Sequence, residues 1–466
     1  MVHSLHENTV ISLVGDKSGR SAVIKNSTGQ GTNWAPASCS LAMGMAIKKQ
    51  ADNFHKTKIS IGNVKIDPLM YVDDVERLAT TAEGAREGGI IFTRSLNELS
   101  LEAHPGKSAQ VIMGTKKFKD KIREELAKDP VIIQGWELQE SQMETYLGVQ
   151  ISGKGVRDSV TQSIKKRIQS AIAKEVQLSK VLEEDMMDKL GWLECVKVLF
   201  NSIIIPTLTY GSQAYVYMTN TQKNEMEMGM KEILYRMLQI SKYAQYAAVL
   251  LEMNMIKLTH IVNQLKIGFV NQLLHEKKSG FCWKILREEE ELYPGTGLLA
   301  EVRELCEMYN ILDVNEYHLE KDYIRENIIH FGRTEVWKET LTNRRIPYNP
   351  TQMKRWRPYM SLPKYDSRLY FAYRIGELQF KSDRKGEYGR KFGNTKCFAD
   401  WCSEEDTLQH VRRCPGYDVR FSKVKVDKDE VTRAEFISYL KKLDLERIKK
   451  YNLPILHRRS MKEQLK

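Results

Sequence analysis

Residues 69–75 read Leu-Met-Tyr-Val-Asp-Asp-Val, which places two adjacent carboxylates inside an otherwise apolar run. Apolar residues on both sides predict a buried hairpin with the acids at its tip, and we call residues 69–76 the acid hairpin. Two neighbouring carboxylates would repel each other and would be costly to desolvate. A divalent cation offsets both effects, because carboxylate oxygens suit Mg²⁺. The alternative is a surface turn with Asp at its corner.

Further motifs accompany the acid hairpin in a fixed order along the chain. Each one alone is weak or moderate evidence, whereas the ordered set is hard to explain otherwise. They are Thr28–Pro36 leading into Ser38–Gly44, then Leu101–Ser108, then Tyr146–Ile151, then Ile205–Gly211.

This ordered set resembles the palm and thumb of reverse transcriptases, most closely those of non-LTR retrotransposons, from about residue 10 to about 280. The resemblance implies an RNA-directed DNA polymerase that takes an RNA template and a DNA primer. Nucleotide addition is an in-line displacement at phosphorus, in which two metal ions stabilise the attacking and leaving oxygens. The implied cofactor is Mg²⁺ or Mn²⁺.

The resemblance also implies roles for residues at the polymerase site. Asp73 ligates metal and Asp74 supports or shares that role, while Tyr71 lies against the primer end. Gln30 and Gly31 line the pocket where the incoming base meets the template, since Gly permits close backbone approach.

Two downstream motifs complete the implied site. Lys107 follows a Pro-Gly turn and lies near the departing pyrophosphate as a cation or proton donor; the alternative is a solvated loop lysine. Tyr146 and Gly148 lie on the hairpin that grips the primer strand; the alternative is ordinary strand packing.

The chain departs from the family upstream of Gln30. A reverse transcriptase palm needs another Asp there on a separate strand, whereas Val10–Val14 and Ser21–Lys25 flank Asp16 as a hairpin would. We therefore expect the C-terminal part of a longer polymerase, lacking the fingers and the first palm Asp and partnered by that missing N-terminal part. We expect such a chain to show little or no polymerisation by itself. Whether the chain is an active enzyme stays open. The alternative function is a catalytically inactive, polymerase-derived remnant that binds nucleic acid.

The positive charge is concentrated in the last quarter of the chain. The formal net charge is +12, and residues 351–466 hold 28 Lys and Arg against 16 Asp and Glu, whereas residues 1–350 hold 44 of each kind. Aromatic residues alternate with cations at Lys354-Arg355-Trp356-Arg357 and again from Arg368 to Arg374. This pattern predicts binding of unpaired bases and phosphates. The alternative is an amphipathic helix with a buried aromatic face.

A candidate zinc site follows the basic segments. Three thiols and one imidazole fall within 18 residues, at Cys397, Cys402, His410 and Cys414, and they suit tetrahedral Zn²⁺. They resemble the CCHC zinc knuckle that ends many non-LTR retrotransposon proteins, and we expect a helix to start at Ser403. The alternatives are free thiols or a disulfide. The scattered cysteines, Cys39, Cys195, Cys282 and Cys306, are expected to be buried.

The remaining chain predicts helices. Apolar residues recur at helical spacing over 159–200, with Ile164, Ile168, Ile172 and Val176 as one stripe, and over 222–242 and 256–275. In 222–242 the stripe of Met226, Met230, Leu234 and Leu238 is expected to be core. The fold class is therefore α+β. It comprises a partial polymerase palm of antiparallel sheet with helices (1–155), a helical thumb (156–240), a helical connector (241–390), a zinc knuckle (391–417) and a basic helical tail (418–466).

Composition and cysteine count indicate the cellular compartment of the protein. The chain has 42% hydrophobic residues, no apolar run of about 20 residues and no N-terminal signal pattern. Its seven cysteines are an odd number, which fits a reducing environment. We expect an intracellular protein of the nucleus or cytoplasm, with no membrane partner and no nuclease site of its own. The oligomeric state stays open.

Overall fold

The computed structural model describes residues 9–12, 21–24, 40–41, 43–44, 59–66, 68–72, 74–184, 191–242, 244–276, 280–341, 364–375 and 403–405. Within them the fold is α+β, mostly helical with small antiparallel sheets. The chain divides into two compact units. Unit 1 comprises residues 1–163 and 279–297, and unit 2 comprises residues 164–278 and 298–466. The boundary predicted between residues 240 and 241 falls inside unit 2.

The strands of the described residues pair two by two, each with its neighbour along the chain, and do not join into the larger sheet expected of a palm. The hairpin predicted around Asp16 is confirmed, because Thr9 pairs with Ile24 and Ser12 with Ser21. Each strand is at most four residues long, so each pair presents little edge for a third strand. The strands are β1 Thr9–Ser12, β2 Ser21–Ile24, β3 Ile59–Ile61, β4 Val64–Ile66, β5 Leu69–Tyr71, β6 Asp74–Glu76, β7 Ile132–Ile133, β8 Trp136–Glu137, β9 Met143–Tyr146 and β10 Val149–Ser152.

Helices make up most of the rest. They are α1 Ala82–Glu98, α2 Lys116–Lys128, α3 Val156–Glu184, α4 Trp192–Leu199, α5 Ile205–Thr209, α6 Asn220–Leu238, α7 Tyr246–Met253, α8 Leu258–Asn271, α9 Phe281–Leu292, α10 Gly297–Met308, α11 Lys321–Leu341 and α12 Lys364–Arg374. A π-helical turn, Phe200–Ile204, joins α4 to α5. Threonine caps begin α1, α2 and α6, as at Thr81, whose Oγ1 accepts from Gly84 N at 3.0 Å.

Unit 1 is held together by two apolar clusters around α1. One buries Ala82 of α1 with Ile122 and Leu126 of α2 and with Val131, which precedes β7. The other lies beneath the acid hairpin. The β3–β4 hairpin packs against α9, and Asn63 N at its turn donates to Glu288 Oε2 at 3.0 Å.

Unit 2 is a helical assembly with a methionine-rich core. The predicted stripe of α6 is confirmed, since Met226, Met230, Leu234 and Leu238 are all buried. A buried ion pair lies beside it: Lys266 Nζ donates to Glu301 Oε1 and to Tyr215 O, each at 2.6 Å. Burial lowers the pKa of Lys266, and attraction to Glu301 opposes that shift.

The stripe predicted for α3 is correct at its start and wrong at its end. Ile164 is buried, whereas Val176 is exposed. Residues spaced strictly four apart rotate about 40° around the axis at every step, so three steps carry Val176 about 120° away from Ile164. The buried face turns instead through Ala171 and Glu175.

Two smaller expectations are also corrected. Cys306 is buried as expected and Cys195 partly so, but Cys282 is exposed in the first turn of α9, where the helix end faces solvent. No helix starts at Ser403 in the part described, because Glu404 forms a bend and Glu405 a β-bridge. Cys39 lies outside the described residues.

Candidate functional site

The two strands of the acid hairpin pair in antiparallel register. Tyr71 pairs with Asp74 across the strands and Met70 pairs with Val75. Side chains alternate between the two faces of a strand, so Tyr71 and Asp74 share one face and Met70 and Val75 the other. Tyr71 and Asp74 are both exposed, so the prediction of a buried hairpin is wrong at its tip. Asp73 lies outside the described residues.

An apolar cluster supports the inner face of the acid hairpin. Met70 and Val75 pack against buried Met43, Leu96 and Ile133, which come from three different segments. Met43 belongs to the motif that follows the Gln-Gly pair in the sequence, and Leu96 lies on α1. Burial of apolar side chains thus ties the acid hairpin to three segments distant in sequence.

A second hairpin places a phenol within electrostatic range of the acids on β6. In β9–β10, Tyr146 pairs with Val149, and Leu147 and Gly148 both have positive φ, as a type I′ turn requires. Burial raises the pKa of Tyr146, and the negative charges of Glu76 and Asp74 raise it further. The structure therefore brings Tyr146 within electrostatic range of the acids on β6.

The predicted loop lysine lies on the surface of unit 1. Residues Pro105–Lys107 form one 3₁₀ turn, in which His104 Nδ1 accepts from Gly106 N at 3.1 Å. The Lys107 side chain is exposed. Among the described residues, it makes no hydrogen bond or ion pair with Tyr71 or Asp74.

Several predicted site residues fall outside the part of the chain that the structure describes. In the polymerase motifs these are Gln30, Gly31 and Asp73. In the C-terminal region they are Lys354, Arg355, Trp356, Arg357, Cys397, Cys402, His410 and Cys414. Within the described ranges, no group of three or more His, Cys, Asp or Glu is arranged to hold a metal ion.

Arg374 has an intramolecular partner. Its Nε donates to Glu252 Oε1 at 2.8 Å, and Glu252 is fully buried. The cations of Lys364 and Arg368 lie 5.5 and 6.0 Å from the ring centre of Trp192. On helix α12 itself Phe371 is buried, as the amphipathic alternative predicts, and phosphate contact by Arg374 stays a prediction.

Two residues of the site region were not found by sequence reasoning. Glu76 lies on the same face of β6 as Asp74, and burial raises its pKa. The alternation of β-strand side chains would have indicated it. Gln134 begins the β7–β8 turn and makes hydrogen bonds that no local pattern reveals.

The donor set at the acid hairpin fits a hard cation. Asp74 is an exposed carboxylate, with Asp73 next to it in sequence and Glu76 on the same strand face. Such oxygens are ligands that Mg²⁺ and Mn²⁺ accept.

One segment of unit 2 has the length and composition of a membrane span. Trp192–Ala214 covers 23 residues with a mean hydropathy of 1.3 in its most apolar window, and half of that window is buried inside the protein. Trp192, Phe200 and Ile204 are fully buried there, as in the core helix of a globular protein. This single helix is weak evidence, and the expectation of no membrane partner stays a prediction.

No protein-family model matches the chain, and a comparison with curated proteins found no match.

Proposed function

We propose that this chain carries the nucleotidyl-transfer site of an RNA-directed DNA polymerase of the non-LTR retrotransposon type. One observation supports this function above the others: Tyr71 and Asp74 pair across an exposed hairpin tip, and Tyr146 of a second hairpin lies within electrostatic range of Asp74. The sequence motifs assign these same residues to the primer end, the metal site and the primer grip.

The chain's own residues would bind and orient the reactants. Asp73 and Asp74 would hold the divalent cations, which supply charge stabilisation for the attacking and leaving oxygens. Tyr71, exposed on the same face as Asp74, presents an aromatic surface to the primer end.

The remaining roles concern the incoming nucleotide and the strands. Lys107, an exposed cation, would neutralise or protonate the departing pyrophosphate. Gln30 and Gly31 would line the base pocket. Tyr146 and Gly148 would hold the primer strand from the β9–β10 hairpin.

The metal assignment is tested by Mn²⁺ binding, measured from the paramagnetic resonance signal of free Mn²⁺. We expect the Asp73→Asn, Asp74→Asn double variant to lose the site, because amides ligate hard cations less strongly than carboxylates do. The matched control is Glu137→Gln, an exposed carboxylate on the β7–β8 hairpin, which should bind as the unaltered chain does. Equal Mn²⁺ affinity in all three proteins would refute the assignment.

Primer extension on an RNA template separates the polymerase from the binding remnant. Extension by the full chain that disappears in the double variant supports the polymerase. Duplex binding with no extension fits the expectation that this chain polymerises little or not at all by itself, and Mn²⁺ binding then separates the metal site from the catalytically inactive alternative. Extension that survives the double substitution would refute the role of the acid hairpin.

The zinc knuckle is a second part of the proposal. Cys397, Cys402, His410 and Cys414 offer a soft donor set suited to Zn²⁺. We expect one Zn²⁺ per chain by elemental analysis, lost in Cys402→Ser and kept in Cys282→Ser, where the exposed thiol lies outside the motif. Retention of zinc by Cys402→Ser would contradict the ligand set.

A further inference from the structure

Gln134 occupies a backbone conformation that its residue type rarely adopts. It is the first residue of the β7–β8 turn, with φ of 46°, followed by Gly135 with φ of 87°. Such type I′ turns favour Asn or Gly at this position. A side chain with a Cβ costs about 1–2 kcal/mol in the left-handed region. An interaction made by the side chain has to offset that cost.

The Gln134 amide is fully engaged in hydrogen bonds. Its Oε1 accepts from Ala103 N at 2.8 Å, and its Nε2 donates to Leu101 O at 2.8 Å and to Asn97 Oδ1 at 2.9 Å. Its backbone N also donates to Thr93 Oγ1 at 3.0 Å. One residue thus joins the β7–β8 turn, the end of α1 and the segment that follows α1.

That segment leads directly to Lys107. Ala103 packs in the apolar cluster that also supports Met70 and Val75 of the acid hairpin. Backbone hydrogen bonds of Gln110 hold the C-terminal end of the loop as well. Gln110 N donates to Gln139 O at 2.9 Å, and Gln110 O accepts from Ser141 N at 2.8 Å. The short span between these two anchors carries the 3₁₀ turn with Lys107.

We propose that Gln134 is a positioning residue for Lys107: its side-chain amide fixes the loop that carries this lysine against α1 and the core beneath the acid hairpin. The importance of that placement for pyrophosphate release rests on the proposed function. Gln134 acts through Lys107 and does not itself touch the reactants.

Hydrogen exchange in the full chain tests the anchoring without any need for activity. Gln134→Gly keeps a backbone suited to positive φ and removes the side chain together with its amide. We expect the backbone amides of residues 101–104, 106 and 107 to exchange about five- to tenfold faster, since a net hydrogen bond of roughly 1 kcal/mol is lost at Ala103. The matched control is Gln239→Gly, the same substitution at φ of 53° in unit 2, which should leave residues 101–107 unchanged. Unchanged exchange of residues 101–107 in Gln134→Gly, or faster exchange throughout unit 1, would overturn the proposal.

A second variant, Gln134→Glu, tests the proposal if Gln134→Gly does not fold. Gln134→Glu keeps an acceptor for Ala103 N but sets a carboxylate oxygen against Asn97 Oδ1 and Leu101 O. Gln134→Glu should also speed the exchange of the amides in residues 101–107. Exchange as slow as in the unaltered chain would count against the proposal.

Kinetics separate a positioning role from general stability. If the full chain extends primers, Gln134→Gly should lower kcat with little change in KM for the nucleotide, and should have no further effect on kcat in a Lys107→Ala background. Additive losses of kcat would overturn the proposal. Absence of extension in the unaltered chain is the result expected of this chain by itself and leaves the proposed function to the Mn²⁺ measurement, and hydrogen exchange would still decide whether Gln134 anchors the loop.

Discussion

Val72 holds the tip of the acid hairpin in a strained conformation. Its φ of 58° lies in the left-handed region, where a β-branched residue is an outlier. Asn or Gly would relieve the turn, and strain of this kind is concentrated at functional sites. The adjacent residue is Asp73, the first carboxylate of the candidate metal site.

Replacing Val72 by Asn should stabilise the acid hairpin. Asn adopts positive φ more readily than Val, so we expect the opening free energy of the β5–β6 amides to rise by about 1 kcal/mol, measured by hydrogen exchange. Val75→Asn provides the contrast, because Val75 packs in the apolar cluster and its replacement should destabilise the same amides. A loss of protection in Val72→Asn would contradict the strain.

Helix α12 is an integral part of unit 2. Leu369, Phe371 and Ala372 are fully buried. The guanidinium of Arg374 meets the buried carboxylate of Glu252. A helix with this burial depends on its polar pair as well as its apolar face, because an unpaired buried charge is expensive.

Arg374→Ala should destabilise unit 2 by about 3 kcal/mol, since it removes the guanidinium that donates to the buried Glu252 carboxylate. Thermal unfolding is the measurement. Arg325→Ala, at an exposed position on α11, is the control and should change stability by no more than about 0.5 kcal/mol. Adding Glu252→Gln should recover part of the loss, and a full additive loss in the double variant would argue against the pair.

A polar network joins α8 and its preceding residue to α11. His260 Nε2 and Glu335 Oε2 are 2.5 Å apart, and Lys257 contacts both Glu335 and Glu339. Burial acts to raise the pKa of Glu335, but hydrogen bonds from Lys257 and His260 bring it below its ordinary 4.5. Burial acts to lower the pKa of Lys257, but hydrogen bonds to Glu339 and Glu335 bring it above its ordinary 10.5.

These shifts set a pH window for the stability of unit 2. The lowered pKa of Glu335 stabilises the fold above pH 4.5, and this effect is lost as pH falls through the folded-state pKa. The raised pKa of Lys257 stabilises the fold below pH 10.5, and this effect is lost as pH rises through the folded-state pKa. Glu335→Gln should therefore destabilise unit 2 near neutral pH, by about 1 kcal/mol for this partly exposed pair.

Unfolding measured against pH checks this window. The difference between Glu335→Gln and the unaltered chain should shrink as pH falls below 4.5. Glu326→Gln, at an exposed position on the same helix, is the matched control and should change stability by no more than about 0.5 kcal/mol. A difference that stays constant down to acid pH would contradict the linkage.

At the scale of the whole molecule, the basic C-terminal region includes one helix that belongs to the fold of unit 2. The net charge of +12 belongs to residues 351–466, but α12 lies within that range and packs into unit 2. A deletion that begins at residue 351 would therefore expose the core around Trp192. Deletion from residue 376 keeps α12 and still removes 22 Lys and Arg against 15 Asp and Glu.

Nucleic-acid binding should depend on the basic region and on salt. We expect deletion of residues 376–466 to lower affinity for single-stranded RNA and to flatten its salt dependence, because fewer counterions are released. Replacing Lys354, Arg355 and Arg357 together by Ala should reduce the slope of log affinity against log salt by about 2. Affinity titrations at several salt concentrations are the measurement, and unchanged slopes in both variants would refute binding by this region.

The amino-acid sequence by itself determined the local features of this protein. The Met226–Leu238 core stripe, the β1–β2 hairpin and the Tyr71–Asp74 hairpin follow from residue periodicity and turn chemistry, which act between neighbours along the chain. Tertiary structure alone decided that Tyr146 lies near Asp74, that Gln134 holds Ala103 and that Arg374 pairs with Glu252. Those partners are separated by tens to more than a hundred residues, and only the packing of distant elements brings them together.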